Sequence, residues 1–135
     1  MKKLLFVLTL MLSTTLAYPQ SKTYQLSSHI LDISKGMPAS DVPIRLEKLD
    51  ADKKTWSIVA EKVTDSNGRI SDFLSAESSN EGIYKLTFLT AAYFKKQKIE
   101  SFYPFIEVVF EIKGSKHYHV PITLSAYGYS TYRGN

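Results

Sequence analysis

The sequence predicts an all-β sandwich, and three observations carry that expectation. From Leu26 onward apolar and polar residues alternate in short runs, turn residues interrupt those runs at close intervals, and only Ala91 to Lys98 lacks the alternation. That is the pattern of short strands folded over a shared core. A chain of 135 residues suffices for one domain with a sizeable core and not for two.

The first expected strand is Gln25 to Ile33, closed by the turn Lys35-Gly36-Met37-Pro38. Val42 to Leu49 follows, with Val42, Ile44 and Leu46 on one face and Pro43, Arg45 and Glu47 on the other. Asp50 to Lys54 is a polar hairpin tip leading into Trp56 to Thr64. In Asp65-Ser66-Asn67-Gly68 the Asn-Gly pair readily takes the positive φ of a tight turn, and a short strand, Arg69 to Phe73, starts after it. Beyond a polar Ser/Glu/Asn loop, Gly82 to Thr90 sets Tyr84, Leu86 and Phe88 against Ile83, Lys85 and Thr87. Ala91 to Lys98 reads as the one short helix. Pro104 to Ile112 turns Ile106, Val108, Phe110 and Ile112 to the core, His117 to Leu124 makes the next strand, and Tyr127 to Tyr132 the last. There is no internal repeat or low-complexity tract.

The first residues are expected to lie outside this domain. Lys2 and Lys3 precede an apolar run from Leu4 to Leu12, and Ser13 to Ala17 supplies the small residues of a cleavage site. The run is too short to span a bilayer permanently, so residues 1–17 read as a cleaved secretory signal, 18–24 as a flexible lead-in and 25–135 as the domain. The chain contains no cysteine, which excludes disulfides, a thiol nucleophile and thiolate-bound zinc. The formal charge is +4; without Lys2 and Lys3 it is +2, from 15 basic and 13 acidic residues. Those charges are interspersed, which argues against a nucleic-acid partner. The one basic cluster, Lys95-Lys96-Gln97-Lys98, reads as a solvated helix face.

Polar residues on the non-core faces are the candidates for function. In the His117 strand, Tyr118, Val120, Ile122 and Leu124 share one face, and His117, His119, Pro121 and Thr123 the other. In the first strand Ser27, His29 and Leu31 lie opposite Leu26, Ser28 and Ile30. All three histidines of the chain therefore point away from the core. Arg69 follows directly on the Asn67-Gly68 turn, where its guanidinium can reach across a neighbouring surface. Taken alone, each of these residues reads first as a solvated side chain. His117 and His119 also have the spacing of a metal clip, but no acidic residue close in sequence completes one.

The motifs resemble those of the 5-hydroxyisourate hydrolases, the transthyretin-related proteins. The resemblance runs through Ser28-His29-Ile30-Leu31-Asp32, Gly36-Met37-Pro38-Ala39, Asp65-Ser66-Asn67-Gly68-Arg69-Ile70, Tyr93-Phe94-Lys95-Lys96 and Glu100-Ser101-Phe102-Tyr103-Pro104. It continues in His117-Tyr118-His119-Val120-Pro121 and the tail from Leu124 to Gly134, and so covers nearly all of residues 25–135 in order. It implies an eight-stranded, two-sheet sandwich with one short helix, assembled as a homotetramer, a dimer of dimers, with active sites in a channel between dimers. It implies hydrolysis of the lactam ring of 5-hydroxyisourate without metal or organic cofactor and, with the leader, a periplasmic location.

The same resemblance assigns His29, His119 and Arg69 to catalysis. It assigns Tyr132 and Arg133 to substrate binding beside His29 and Arg69, with Arg133 also securing the tail and His117 no more than an accessory; Ser130 and Asn135 are further binding candidates, by a hydroxyl and an amide near the channel. The family tail usually ends Tyr-Arg-Gly-Ser, whereas Asn135 ends this chain, offering an amide in place of a hydroxyl. Two other readings compete. One is a transthyretin-like small-molecule binding protein without catalysis, which the combination of His29, Arg69, His119 and the Tyr132-Arg133-Gly134 tail argues against. The other is a structural or carbohydrate-binding sandwich module, which leaves those motifs unexplained.

Overall fold

A computed structural model describes residues 22–135. The expected leader and the first part of the lead-in lie outside those residues. The element order is β1 (Tyr24–Asp32), β2 (Met37–Pro38), β3 (Pro43–Asp50), β4 (Thr55–Val63), β5 (Arg69–Ser75), β6 (Gly82–Phe88), α1 (Ala91–Lys96), β7 (Ile106–Ile112), β8 (Tyr118–Ser125) and β9 (Gly128–Thr131).

Two sheets face each other. In the first, β1 runs parallel to β8, β8 pairs with the edge strand β9, and β5 and β2 share the other side of β1. The second is antiparallel in the order β4-β3-β6-β7. Period-two alternation sends Leu26 and Ile30 of β1 and Ile122 and Leu124 of β8 inward, against Ile44, Leu46, Leu86 and Phe88 of the other sheet; none of these is exposed. Each such burial contributes about 1.5–3 kcal/mol. Ser28, which shares the core face of β1, is also fully buried, and its hydroxyl donates to the Val120 carbonyl at 2.8 Å.

The structure refines three expectations. Met37 and Pro38 form a two-residue strand pairing with Asp32 and Leu31, so nine strands are present among the described residues where eight were expected. Pro38 is tolerated because this short strand is an edge of its sheet. The helix stops at Lys96 rather than Lys98, because Lys98 turns into the left-handed region at φ 57°. Phe110 is half-buried rather than in the core, stacked on Tyr84 with ring centroids 6.1 Å apart.

Candidate active site

The outward face of the first sheet gathers the candidate residues by register. Arg69 on β5 pairs directly with His29 on β1, and His29 pairs with Pro121 on β8. One step along, Ser27 pairs with His119. Past β9 the tail returns along β8. Ile122 pairs with Thr131 and His119 with Gly134 in one continuous register, which sets Tyr132 opposite Pro121. Pro121 has no N–H, so the ladder lapses there and resumes with the Gly134 N–H donating to the His119 carbonyl at 2.9 Å. Arg69, His29, Pro121 and Tyr132 thus form a row across the sheet, with Ser27, His119 and Gly134 in the adjoining row.

The Asn-Gly turn fixes Arg69. The Asp65 carboxylate accepts the backbone N–H of Asn67 at 2.8 Å and of Arg69 at 2.9 Å, and the Gly68 N–H donates to the Asp65 carbonyl at 2.9 Å. Gly68 has φ +69° and presses on β1; a Cβ there would lie 2.7 Å from the Ile30 carbonyl oxygen. The Ile30 N–H donates to the Gly68 carbonyl at 2.9 Å, so the turn is tied to β1 one residue from His29.

His119 is held by Ser27 and Gly134. Its Nδ1 lies 2.8 Å from Ser27 Oγ, and the same Oγ is 2.9 Å from His117 Nε2. Gly134 packs on the ring so closely that a Cβ there would stand 2.5 Å from its Cδ2. Partial burial pushes the His119 pKa below the ordinary histidine value, and the Arg69 charge, His29 and His117 act in the same direction, opposed by the Ser27 backbone. Burial also lowers the pKa of His29, joined by Arg69, against the opposing effects of the Asn67 backbone and the Asp65 carboxylate. Both shifts favour the neutral imidazole beside a permanent cation.

The other expected binding residues lie in different positions. Ser130 hydrogen-bonds Thr123 at 2.7 Å, and Thr123 stands four residues from His119 along β8, about 13 Å at the usual strand rise. Arg133 is turned by alternation to the Tyr118 side, its guanidinium 4.7 Å from that ring centroid, where it secures the tail. Asn135 is exposed beside the Gly134 bridge, and Tyr132 is exposed on the imidazole face. Among the described residues no group of three or more His, Cys, Asp or Glu is placed to hold a metal ion.

Sequence reasoning missed Ser27. Its alternation with His29 was legible, but its partner on β8 was not. Two cavities, about 450 Å³ beside Gln25, Glu81 and Gly114 and about 170 Å³ beside Lys35, Tyr93 and Gln97, touch none of the candidate catalytic residues. In one chain the imidazole face is an open sheet surface.

The HIUase/Transthyretin family matches residues 26–134. The chain belongs to that family. It is 44% identical over 129 residues to a probable 5-hydroxyisourate hydrolase of Caenorhabditis elegans, covering 94% of this chain and 91% of the relative. It is 40% identical to the mouse 5-hydroxyisourate hydrolase, with 82% and 94% covered. Among solved structures it resembles the Klebsiella pneumoniae 5-hydroxyisourate hydrolase, with TM-score 0.70, 37% identity and coverage of 82% and 98%. It also resembles sea bream transthyretin in complex with thyroxine, with TM-score 0.76, 33% identity and coverage of 82% and 94%. The family thus spans both a hydrolytic and a hormone-bound member on one sandwich.

Proposed function

We propose that this chain hydrolyses 5-hydroxyisourate, opening its lactam ring toward 2-oxo-4-hydroxy-4-carboxy-5-ureidoimidazoline in urate degradation. The observation that carries the reading is the grouping, in two adjoining rows on the outward face of the first sheet, of two imidazoles with lowered pKa and one guanidinium that has no carboxylate within ion-pair distance among the described residues, in a chain 37–44% identical to proteins named for that activity. Water is a weak nucleophile, so its proton must leave as it attacks, and a neutral histidine is suited to take it near ambient pH. His119 is the base in this reading, with His29 sharing or relaying the proton. Arg69 holds the anionic edge of the flat, polar substrate and stabilises the oxygen on which charge develops. Tyr132 lines the same row and hydrogen-bonds the substrate.

An open face excludes water poorly. The reading therefore includes assembly as a homotetramer, a dimer of dimers, whose dimers meet over this face and enclose it. It also includes export to the periplasm by removal of residues 1–17. The alternative is a small-molecule carrier without catalysis, favoured by the likeness to a thyroxine-bound transthyretin.

Freshly generated 5-hydroxyisourate, followed by ultraviolet absorbance with and without the purified protein, decides between them. Accelerated decay supports the hydrolase. Tight thyroxine binding with no acceleration supports the carrier. Sedimentation of the purified protein tests the tetramer, and the N-terminal sequence of the exported protein tests the leader.

A further inference from the structure

The hydrogen bonds around His119 have a polarity that can be read from their ends. A carbonyl oxygen only accepts, so the contact of 3.0 Å between His117 Nδ1 and the Tyr24 carbonyl places a proton on that nitrogen. In its neutral form His117 then presents a bare Nε2, and among the described residues the donor facing it is the Ser27 hydroxyl at 2.9 Å. With its single proton committed, Ser27 Oγ accepts from His119 Nδ1 at 2.8 Å.

We propose that Ser27 and His117 are positioning residues that, with His119, form a proton wire. The wire holds His119 as the Nδ1–H tautomer, leaves its Nε2 lone pair free as the base, and carries the abstracted proton to the exposed His117 ring. This inference rests on the reading of His119 as the water-activating base.

The step balances without a co-reactant. An O–H bond of water breaks and its proton bonds to Nε2 of His119. The Nδ1–H bond of that ring breaks towards Ser27 Oγ, and the serine's own proton passes to Nε2 of His117. Hydroxide attacks the lactam carbonyl carbon while His117 holds the positive charge. When the carbon–nitrogen bond breaks, the departing nitrogen takes the Nε2 proton of His119, and the chain runs back from His117 through Ser27 to Nδ1. Relocating the charge has a physical reason. A cation on His119 is partly desolvated and faces Arg69 from β5, His29 from β1 and His117 from its own strand, whereas His117 is exposed. Among the described residues neither ring has a carboxylate within ion-pair distance to offset that repulsion. Protonated His117 would donate to Ser27, freeing the serine proton for Nδ1 of His119 and turning the base into a donor.

The test pairs a tautomer measurement with kinetics on the folded protein. Long-range proton–nitrogen NMR of the imidazoles at pH 8 should show His119 carrying its proton on Nδ1. Ser27→Ala should shift it toward the Nε2–H form, and Ser27→Thr, which keeps the hydroxyl, should restore it. In 5-hydroxyisourate decay, Ser27→Ala should lower kcat about ten- to a hundredfold, the usual scale for a lost histidine-orienting partner, with KM within about twofold and most of kcat recovered by Ser27→Thr. His117→Gln, which has no ring to take up the proton, should likewise lower kcat with KM within about twofold. A resting His119 protonated on Nε2, or a Ser27→Ala enzyme with unchanged kcat, would overturn the wire. An inert wild-type protein would instead sink the hydrolase reading, and the tautomer would still decide the polarity of the chain.

Discussion

The outward faces of the two sheets treat charge in opposite ways. On the second sheet Lys85 lies between Glu47 at 3.1 Å and Glu107 at 3.3 Å, with its ammonium 4.7 Å from the Trp56 ring centroid, and Arg45 pairs with Glu61 at 2.9 Å. Burial opposes the Lys85 charge, but the two glutamates outweigh it and raise its pKa. Positive charge there is answered within the chain. On the first sheet Arg69 has no carboxylate within ion-pair distance among the described residues, and burial and its own charge lower the pKa of two histidines beside it. A compensated face contributes to the fold, while an uncompensated one is left to act on something brought to it.

Substitutions on each face should break this contrast in characteristic ways. The largest effect is expected from His119→Ala or His29→Ala, each lowering turnover by roughly two to four orders of magnitude, the scale of a lost general base. Near-normal turnover in either variant removes that residue from the proton path. Arg69→Ala should raise KM and lower kcat, with kcat/KM falling by about a hundredfold, as when an oxyanion donor is lost. The same variant sharpens the electrostatic argument. Arg69 lowers both histidine pKa values, so the acid limb of the pH–rate profile, where activity is lost on protonation as pH falls, should move to higher pH without it. An unmoved limb would show that the guanidinium does not act on the imidazoles.

Gly134→Ala is a smaller perturbation, directed at the tail. The added Cβ displaces either the His119 ring or the tail, and turnover should fall about tenfold, less than for loss of the base itself. Thermal unfolding should hardly change, because the bridge lies at the chain end. On the other face Lys85→Ala leaves Glu47 and Glu107 without their shared cation. Urea unfolding should show a loss of about 1–2 kcal/mol, with 5-hydroxyisourate turnover unaltered. A drop in turnover there would mean that the two faces are coupled.

Much of the frame was legible in the residue order. Alternation in β3, β6 and β8 identified the inward side chains, and the departure of Ala91 to Lys98 from it marked the helix, two residues too long. The Asn67-Gly68 pair announced the turn that starts β5 at Arg69. Less was legible at the candidate site. The paired strand of residues 37–38 was hidden inside a sequence that reads as a simple turn. Ser27 looked like an ordinary surface serine, because its importance lies in two histidines ninety residues or more away. Arg133 matched the site motif, but its side of the tail depends on a pairing that the motif does not contain.

The sequence alone determined which residues leave the core, because successive side chains of a strand point to opposite faces whatever the strand's neighbours. It determined in the same local way that Arg69 begins a strand. Only the tertiary structure decided that β1 lies parallel to β8 with Ser27, not His29, beside His119, and that β5 brings Arg69 directly against His29. It also decided that the tail folds back to set Gly134 on the His119 ring. Register between distant strands follows from how two hydrophobic faces fit and how the connecting turns close, and neither is encoded in the spacing of residues within one strand.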